Sequence, residues 1–476
     1  MLLPVVLLLL LTGCREHIVS DDPTLRLTFS VDTLCFDTVF TSIGSATRQV
    51  MIYNPNKNAL RISSVALEKG AYFRINIDGE VDSRYMRDIE IGGGDSLYLF
   101  VQVKIDPQDS NTPVLVEDKV VFAVNGNNQA LTLEAYGQDV HLIRTDGRLS
   151  VLYNQILKAD KPYLIFDTLV STGTLKIEAG ARLYFHQNSF LQVQGSLRAL
   201  GTQDAPIRMQ GSRIDNLFDS VPYAHAAGGW GGVYLLRDNT ITIAPTYTMD
   251  YVEICSANVG LYGYNDKVKS LPTLRLSNSR IHNHALYCLA IQNMNAEVVN
   301  TEISNAASYC VYLSGGTHRF IHSTIASYFG STDIRIQSAA REDVAAVYID
   351  DLSKDGAHTS SSFYNSIIMG PRAQNLTIAT PFKQYYEGHF VGNYIKGDTL
   401  TTPNAASNTY WQETDSAVFE NTFYKYQEYR YYNFQLREAS PARAIGDSLI
   451  AAPYPTDRLG KDRSSLPHPD AGCYQY

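Results

Sequence analysis

Residues 271–328 repeat themselves with a period of 22 residues, and this period restricts the fold more than any other feature of the sequence. Several columns of matching residues carry the repeat: Ile281, Ile303 and Ile325; Asn278, Asn300 and His322; Ala285 and Ala307; and the pairs Tyr287–Cys288 and Tyr309–Cys310. A period in the low twenties is typical of a solenoid, in which each repeat buries its apolar side only against its neighbours. The alternative is a chance match within an ordinary β-sandwich.

Within each repeat, the apolar residues alternate in short runs. Leu274 and Leu276 form one run, Leu289 and Ile291 form another, and Asn, Ser, His and Gly separate the runs. Alternation with a period of two predicts strands and turns, whereas a helix would space its apolar residues by three and four. Strands stacked in this way form a parallel β-helix, so we predict an all-β chain.

The composition suits a large globular protein and argues against some partners. The chain has 476 residues, of which 45% are hydrophobic, and this is enough for two or three domains. Its net charge is −9 and no run of Lys or Arg occurs, so we expect no nucleic-acid partner. The cysteines after Cys14 are scattered, without CxxC spacing or paired histidines, so we predict no metal site and no cofactor.

The N-terminus predicts a lipid anchor. Met1 to Leu11 are almost all apolar, which is too short for a membrane span but fits a signal-peptide core. The following Leu11-Thr12-Gly13-Cys14 resembles the lipobox of bacterial lipoproteins, although no Lys or Arg precedes the core. The resemblance implies a signal peptide at 1–13, a lipid on Cys14 and a tether at 14–24. The alternative is a plain secretory signal with an incidental cysteine.

Two further features bear on the membrane in which the anchor would lie. Arg15 stands where lipoproteins retained at an inner membrane commonly have Asp, so the resemblance favours the outer membrane. Ser20-Asp21-Asp22 resembles the acidic export tag of surface lipoproteins of Bacteroidota, and a solvated acidic linker is the alternative. We therefore expect localisation at the outer membrane, on either its periplasmic or its cell-surface side.

Residues 25–140 read as a β-sandwich. About seven strand-like runs alternate with turns such as Asn54–Asn58 and Gly92–Asp95, a spacing typical of an immunoglobulin-like domain. The stretches FDTVFTSIGSATRQVMIYNP and DSLYLFVQVKIDP resemble domains that precede β-helices in envelope lipoproteins of Bacteroidota. This resemblance implies a spacer or adhesion module.

The solenoid is expected at 141–400. Its opening stretch, TGTLKIEAGARLYFHQNSFLQVQGSLRALG, and the Trp230-Gly231-Gly232 corner resemble right-handed parallel β-helix repeat proteins. That resemblance implies the right-handed turn, which parallel β crossovers also prefer. Residues 401–476 resemble the closing segment of the same family, which predicts C-terminal coils and a cap over the last coil.

The repeat loosens after Ile325. The Asn–x–x–Ile column returns at Asn365 and Ile368, 43 residues after Ile325. Residues 329–344 and 352–362 carry no repeat positions, so we predict loops that project on either side of one coil, AAVYIDD.

The columns also test for an active site. β-Helix lyases stack carboxylates around Ca²⁺, and glycoside hydrolases need facing carboxylates. The column at 280 reads Arg280, Glu302 and Thr324, so no acids are stacked there. We therefore predict no catalytic residue.

Three clusters remain as candidate ligand sites. His282 and His284 could bind a metal, although a solvated turn explains them better. Asp350 and Asp351 could face a ligand, and an exposed loop is the alternative. Aromatic residues of the C-terminal region could stack on sugar rings or form capping strands: Tyr424, Tyr426 and Tyr429, with Tyr431 and Tyr432 beside them.

Two function classes follow from these residues. The first is an envelope-anchored binding or scaffold protein, whose partner is a polysaccharide or an envelope protein. The second is a β-helix carbohydrate-active enzyme, a polysaccharide lyase or glycoside hydrolase. The second requires at least two carboxylates and a base that converge within about 10 Å in a cleft.

Cys288 and Cys310 test the register. Their separation equals the period, so they should lie on adjacent coils about 4.8 Å apart. Parallel strands aim both Cβ atoms the same way, so we predict stacked, buried and reduced thiols, not a disulfide. Tyr287 and Tyr309 should stack likewise.

Overall fold

The computed structural model is nearly all β, which confirms the predicted fold class. It describes residues 18–77, 79, 85–145, 147, 149–218, 221–238, 240, 242–266, 270–329, 344–351, 358–400, 404–412, 417–423 and 431–476. The chain divides into two compact units, one ending at Val140 and the other beginning at His141. No helix among the described residues is long and apolar enough to cross a membrane.

The N-terminal unit is a sandwich of two sheets. Its nine strands are β1 Thr28–Phe29, β2 Thr33–Phe40, β3 Arg48–Tyr53, β4 Leu60–Leu67, β5 Phe73–Ile77, β6 Tyr85–Ile91, β7 Ser96–Val103, β8 Val114–Val124 and β9 Asn127–Gln138. One sheet has the order β1-β3-β7-β5 and the other the order β2-β9-β8-β4-β6. Every pair is antiparallel except β2 with β9. Inward residues of both sheets share one apolar core, as alternation with a period of two requires.

The second unit begins with short strands that follow one another around the coils. The first ten are β10 His141–Ile143, β11 Ser150–Tyr153, β12 Ile156–Leu157, β13 Tyr163–Ile165, β14 Leu169–Thr172, β15 Thr174–Ile177, β16 Arg182–Phe185, β17 Phe190–Val193, β18 Ser196–Leu200 and β19 Ile207–Gly211. A small hairpin and a 3₁₀ turn follow: β20 Asn216–Phe218, β21 Val221–Pro222 and Tyr223–His225.

The central coils contain the 22-residue repeat. Their strands are β22 Trp230–Leu236, β23 Thr246–Asp250, β24 Val252–Cys255, β25 Ala257–Tyr264, β26 Thr273–Ser277, β27 Arg280–His284, β28 Tyr287–Gln292, β29 Asn295–Val299, β30 Glu302–Ala306, β31 Val311–Ser314, β32 Gly316–Ile321 and β33 Thr324–Ala326.

The last coils and the tail complete the unit. Their elements are β34 Val347–Asp350, β35 Thr359–Tyr364, β36 Ile367–Met369, β37 Leu376–Ile378, α1 Thr380–Lys383, β38 Glu387–Lys396, β39 Asn404–Gln412, β40 Phe419–Asn421, β41 Asn433–Leu436 and α2 Ser448–Ala451.

Parallel pairing between successive coils builds three faces. The first face runs from β12 through β15, β18, β23, β26, β29, β32, β35 and β38 to β39; the second runs from β10 through β13, β16, β19, β24, β27, β30, β33 and β36 to the end of β38. The third face has nine strands in the order β11-β14-β17-β22-β25-β28-β31-β34-β37. The second unit is therefore a parallel β-helix.

The predicted register is confirmed. Ile281 pairs with Ile303, and Ile303 with Ile325. Ile325 then pairs with Ile368, which confirms the 43-residue step. Cys288 and Cys310 directly precede the paired Leu289 and Val311, and both are free and completely buried.

Aromatic stacks fill the interior of the solenoid. Phe185 lies on Trp230 with ring centroids 4.2 Å apart, and the Trp230 indole N–H donates to the Cys255 carbonyl at 2.8 Å. Phe320 stacks on Phe363, which stacks on Phe390. Stacking of equivalent residues on successive coils buries large apolar areas with few rotamers to order.

Asparagines form the corner between the first and second faces. Asn278, Asn300, His322 and Asn365 all have φ between 46° and 48°, a left-handed conformation that Asn adopts more readily than most residues. We call these four residues the corner ladder. Asn300 Nδ2 donates to Asn278 Oδ1 at 3.2 Å, and Asn365 Nδ2 lies 3.1 Å from His322 Nε2.

Residues 447–476 belong to the C-terminal segment for which the sequence predicts coils and a cap. These residues, which we call the strap, run along the flank of the solenoid and bond to residues on five different coils: Gln203, Ser279, Asn300, Thr324 and Asn365. Arg463 is almost completely buried and donates to Asn300 Oδ1 at 2.9 Å. Polar side chains of the corner ladder thus fix the strap, because their amides point away from the core.

The prediction of loops at 329–344 and 352–362 is only partly right. Residues 359–362 belong to β35, which pairs with β32 in the first face. The predicted second loop therefore includes four residues of a strand. His318 Nδ1 lies 2.9 Å from Ser361 Oγ, so hydrogen bonding between coils satisfies polar residues that the sequence pattern assigns to solvent. Phe329 and Val344 are buried, and residues 330–343 and 352–357 lie outside the described residues.

Candidate functional site

A column of alternating charge crosses the second face. The register pairs Arg208 with Glu253, Glu253 with Arg280, and Arg280 with Glu302. These side chains point outward because inward positions of the same strands hold Ile254, Ile281 and Ile303, which are completely buried. Opposite charges therefore stack at the spacing of the coils.

Short contacts join the members of this column. Arg280 Nε lies 2.8 Å from Glu302 Oε1, and its Nη1 lies 3.6 Å from Glu253 Oε1. Arg208 Nε lies 3.4 Å from Glu253 Oε2. The Glu302 side chain is 2% exposed, whereas those of Glu253 and Arg280 are each 26% exposed. One carboxylate is therefore enclosed and the other reaches solvent.

The strap covers the enclosed carboxylate. The Tyr474 hydroxyl donates to Glu302 Oε2, and the Ser304 hydroxyl donates to Glu302 Oε1 at 2.7 Å. Arg458 donates to the Ser279 carbonyl at 3.2 Å and faces the Tyr474 ring. Glu302 is thus surrounded by donors.

A cleft of about 230 Å³ opens over this cluster, and we call it the charged cleft. It is lined by the two glutamates, Arg280, Arg458, Tyr474 and Leu459, and its remaining wall is Tyr432–Gln435, which includes part of β41. The strap and the start of β41 therefore form one side of the cleft. The second face of the solenoid forms the other side.

The surroundings of both glutamates of the cleft favour the charged carboxylate. Burial alone would raise the pKa of Glu302, but the charges of Arg280 and Arg458, together with the hydrogen bond from Tyr474, bring it down to about 2. Burial would also raise the pKa of Glu253, but the hydrogen bond from His282 and the nearby arginines hold it well below its usual value. Burial and the charge of Glu302 raise the pKa of Tyr474 well above its usual value.

The two candidate histidines lie in β27, and the expectation of a solvated turn is wrong. His282 is almost completely buried, with Nε2 3.2 Å from Glu253 Oε1. His284 is completely buried, with Nδ1 3.2 Å from the Ala257 backbone nitrogen. Burial lowers the pKa of both rings, that of His284 to about 3. The described residues contain no group of three or more His, Cys, Asp or Glu side chains that could hold a metal ion.

Asp350 and Asp351 lie at the end of β34, at the rim of the third face. Asp350 Oδ1 accepts from the Asp351 backbone N–H at 2.7 Å, and the Asp350 carbonyl accepts from the Thr359 hydroxyl at 2.7 Å. Asp351 Oδ2 lies 3.5 Å from His358 Nδ1. The two aspartates therefore lie on the third face, whereas the glutamates of the charged cleft lie on the second face.

The third face carries a row of partly exposed tyrosines. They stand on or directly beside successive strands, and Ala290 lies between Tyr262 and Tyr312 in the register. Their rings contact in two groups: Tyr234 with Tyr262, and Tyr287 with Tyr309, Tyr312 and Tyr348. We call this row the tyrosine ladder. Tyr287 and Tyr309 stack with an interplanar angle of 9° at 6.3 Å, as predicted, and Tyr312 and Tyr348 stack at 5° and 6.1 Å.

Four of the candidate residues cannot be placed. Cys14, Tyr424, Tyr426 and Tyr429 lie outside the described residues. Their neighbour Tyr432 is described: it lines the charged cleft, and its hydroxyl donates to the Tyr328 carbonyl at 3.1 Å.

Sequence reasoning missed Glu253 and the strap residues of the cleft. Glu253 precedes Arg280 by 27 residues and not by 22, so a search at the fixed period does not align them. Tyr474 and Arg458 are more than 150 residues from Glu302 in the sequence, and no periodic pattern connects them. The tyrosine ladder could have been found by extending the columns of Tyr287 and Tyr309 to neighbouring strands.

Comparisons with known proteins give little further information. No protein-family model matches the sequence, and no curated protein matches it. The chain is similar to a solved structure of a family 123 glycoside hydrolase from Clostridium perfringens, reported in work on glycolipid glycan hydrolysis. Identity is 7%, the match covers 25% of this chain and 31% of that chain, and the TM-score is 0.18. A likeness of this degree says nothing about the activity of this chain.

Proposed function

We propose that this chain is a lipid-anchored protein of a bacterial outer membrane that binds an envelope polysaccharide or protein and does not act on it chemically. The observation that supports binding over catalysis is the state of the two carboxylates in the charged cleft. Both glutamates contact arginines, and their pKa values are lowered. Their charges are already matched within the protein.

Glycoside hydrolysis needs a different arrangement. One carboxyl group must hold a proton at working pH so that it can protonate the leaving oxygen, which requires a raised pKa. Arginines hold the pKa of Glu253 and Glu302 below the ordinary range. A lowered pKa is the opposite of what a general acid needs.

A lyase would need a base in place of the acid. The phenol of Tyr474 has a raised pKa and donates to Glu302. The guanidinium of Arg280 is held between two carboxylates, which raise its pKa. These two groups keep their protons, so neither the Tyr474 phenol nor the Arg280 guanidinium supplies a base.

The enzyme class remains the second candidate because the cleft holds two carboxylates beside several polar groups. The test is to incubate the full chain with a panel of neutral and acidic polysaccharides. Release of reducing ends and of unsaturated products is then measured for the wild type and for Glu253→Gln and Glu302→Gln. We expect no product from any of the three. Product from the wild type that either variant abolishes would overturn the proposal.

The anchor is tested separately. The LTGC motif supports lipidation of Cys14, so Cys14→Ser should move the chain from the membrane to the soluble fraction. Membrane fractionation and metabolic labelling with a fatty acid measure this. A variant that stays in the membrane and keeps its normal processing would contradict the anchor.

A further inference from the structure

The tyrosine ladder lies outside the apolar core of the solenoid. The interior already has its own stacks, in which Phe320, Phe363 and Phe390 are completely buried. The ladder tyrosines point outward from the third face and remain partly exposed. A row of exposed aromatic side chains on a folded surface usually marks an interaction site.

The third face differs from the other two in charge. Its nine strands contain no Lys, Arg, Glu or His, and Asp350 is their one acidic residue. The second face, in contrast, has Arg182, Arg208, Glu253, Arg280 and Glu302 on its strands. A ligand of the third face therefore has little fixed charge to match, which argues against acidic polysaccharides and nucleic acids.

Polar groups accompany the aromatic rings. Gln292, Ser314 and Asp350 form the column beside the ladder, since the register pairs Gln292 with Ser314 and Ser314 with Asp350. The Tyr262 hydroxyl donates to Gln292 Oε1 at 2.8 Å. Burial raises the pKa of Tyr262, Tyr312 and Tyr348, so their hydroxyls stay protonated. The surface thus offers aromatic rings beside a row of hydrogen-bonding groups, of which only Asp350 is acidic. This arrangement suits a ligand with apolar faces and hydroxyl edges.

The ladder also extends over several coils, and its rings are held in place. Tyr234 and Tyr348 are four coils apart, which at roughly 4.8 Å for each strand spacing corresponds to roughly 19 Å. Each ring is held by its neighbours, for example Tyr309 by Tyr348 at 4.8 Å between centroids, so little side-chain freedom is lost on binding. A periodic ligand several units long can repeat its contacts from coil to coil.

We infer that the tyrosine ladder binds a neutral, unbranched polysaccharide that lies along the axis of the solenoid. This inference rests on the proposed binding function and names its ligand class. A protein partner fits less well, because it would need broad apolar pockets for anchoring side chains, whereas the ladder is a narrow row bordered by Gln, Ser and Asp.

Affinity electrophoresis of the full chain in detergent tests this inference. The gels contain hydroxyethyl cellulose, a linear mannan or a linear xylan, and a gel with polygalacturonate is the acidic comparison. The variants are Tyr312→Ala, Tyr348→Ala and Tyr312→Phe, and the matched control is Tyr385→Ala, a tyrosine that is 67% exposed and lies off the ladder. Tryptophan fluorescence during urea unfolding shows whether each variant is folded.

We expect at least one neutral polysaccharide to retard the wild type. Each alanine variant should weaken binding by about tenfold, because a stacked ring is lost from a surface that ordered it in advance. Tyr312→Phe should bind better than Tyr312→Ala, and Tyr385→Ala should bind like the wild type.

A chemical measurement on the wild type supports the test if a variant fails to fold. Nitration of the ladder tyrosines by tetranitromethane, followed by mass spectrometry, should be slowed by the retarding polysaccharide, while Tyr385 should react at an unchanged rate.

The inference is overturned if no neutral polysaccharide binds, if only polygalacturonate binds, or if the ladder is neither needed for binding nor protected from nitration. It is also overturned if Tyr312→Ala releases a co-purifying protein. These outcomes would leave the non-catalytic proposal intact, since only sugar release contradicts that proposal.

Discussion

Replacement of Glu302 by Gln should destabilise the solenoid in a way that depends on pH. The Glu302 carboxylate is enclosed, bonded to Arg280 and Tyr474, and has a pKa of about 2. An unfolded glutamate has a pKa of about 4.3, and each unit of difference corresponds to about 1.4 kcal/mol. The charged carboxylate therefore contributes about 3 kcal/mol to the free energy of unfolding at neutral pH.

The sign of the pH dependence follows from the lowered pKa. The folded state binds the Glu302 proton more weakly than the unfolded state, so the stabilisation is present above about pH 4.3 and is lost as the pH falls towards 2. The free energies of unfolding of wild type and Glu302→Gln should differ most between about pH 5 and 7, and the difference should shrink at about pH 3.

The matched control is Glu297→Gln. Glu297 is 39% exposed and lies 3.5 Å from Arg319, and an exposed pair of this kind contributes about 0.2–1 kcal/mol.

Urea unfolding followed by tryptophan fluorescence measures this difference. The chain has two tryptophans, Trp230 and Trp411, and both lie in the second unit, so the signal reports on the solenoid and not on the sandwich. A difference in stability that stays constant from about pH 7 to about pH 3 would refute the reasoning. So would a control variant that loses as much stability as Glu302→Gln.

Three further results are expected. Cys288 and Cys310 are completely buried, and burial raises the pKa of the Cys288 thiol. Iodoacetamide should therefore label both thiols only in urea, and a disulfide in the mass spectrum would contradict this prediction. Trp230→Ala should lower the free energy of unfolding by about 3–5 kcal/mol, because a buried indole that stacks on Phe185 is lost. A decrease of less than about 1 kcal/mol in the free energy of unfolding would contradict the packing of Trp230 described above. Asn300→Ala removes the acceptor that the buried Arg463 guanidinium uses. It should therefore lower the free energy of unfolding by about 1–3 kcal/mol and speed proteolysis within the strap. Unchanged proteolysis would show that other contacts hold the strap.

The period of the repeat was sufficient to predict the register. Ile281, Ile303, Ile325 and Ile368 fall in one column because every coil must present an apolar residue to the same interior position. The stacked thiols and the stacked pair Tyr287 and Tyr309 follow from the same constraint. Local alternation was similarly sufficient for the two-sheet N-terminal unit.

The charged cleft could not be predicted in this way because its residues do not share a period. Coil lengths differ, and 45 residues separate Arg208 from Glu253 whereas 22 separate Arg280 from Glu302. Other lining residues, Arg458, Leu459 and Tyr474, come from the strap, whose position depends on hydrogen bonds to distant polar residues. The polar sequence Thr359–Ser362 predicts a loop for a related reason, since the partners of its serines lie on other coils: Ser361 Oγ lies 2.9 Å from His318 Nδ1, and Ser362 Oγ accepts from the His389 backbone N–H at 3.0 Å.

The strap also has a consequence for the order of folding. A solenoid held only by neighbouring coils can assemble progressively as the chain emerges, since each contact is local. Here the bonds from Leu459 to Gln203 and from Tyr474 to Glu302 span 256 and 172 residues. Contacts of such long sequence separation form slowly. Arg280 and Ser304 can therefore pair with Glu302 Oε1 as the coils form, whereas Glu302 Oε2 gains its Tyr474 partner only after the strap is synthesised. A chain truncated before the strap would retain most of its coils but lose the bonds that tie distant coils together.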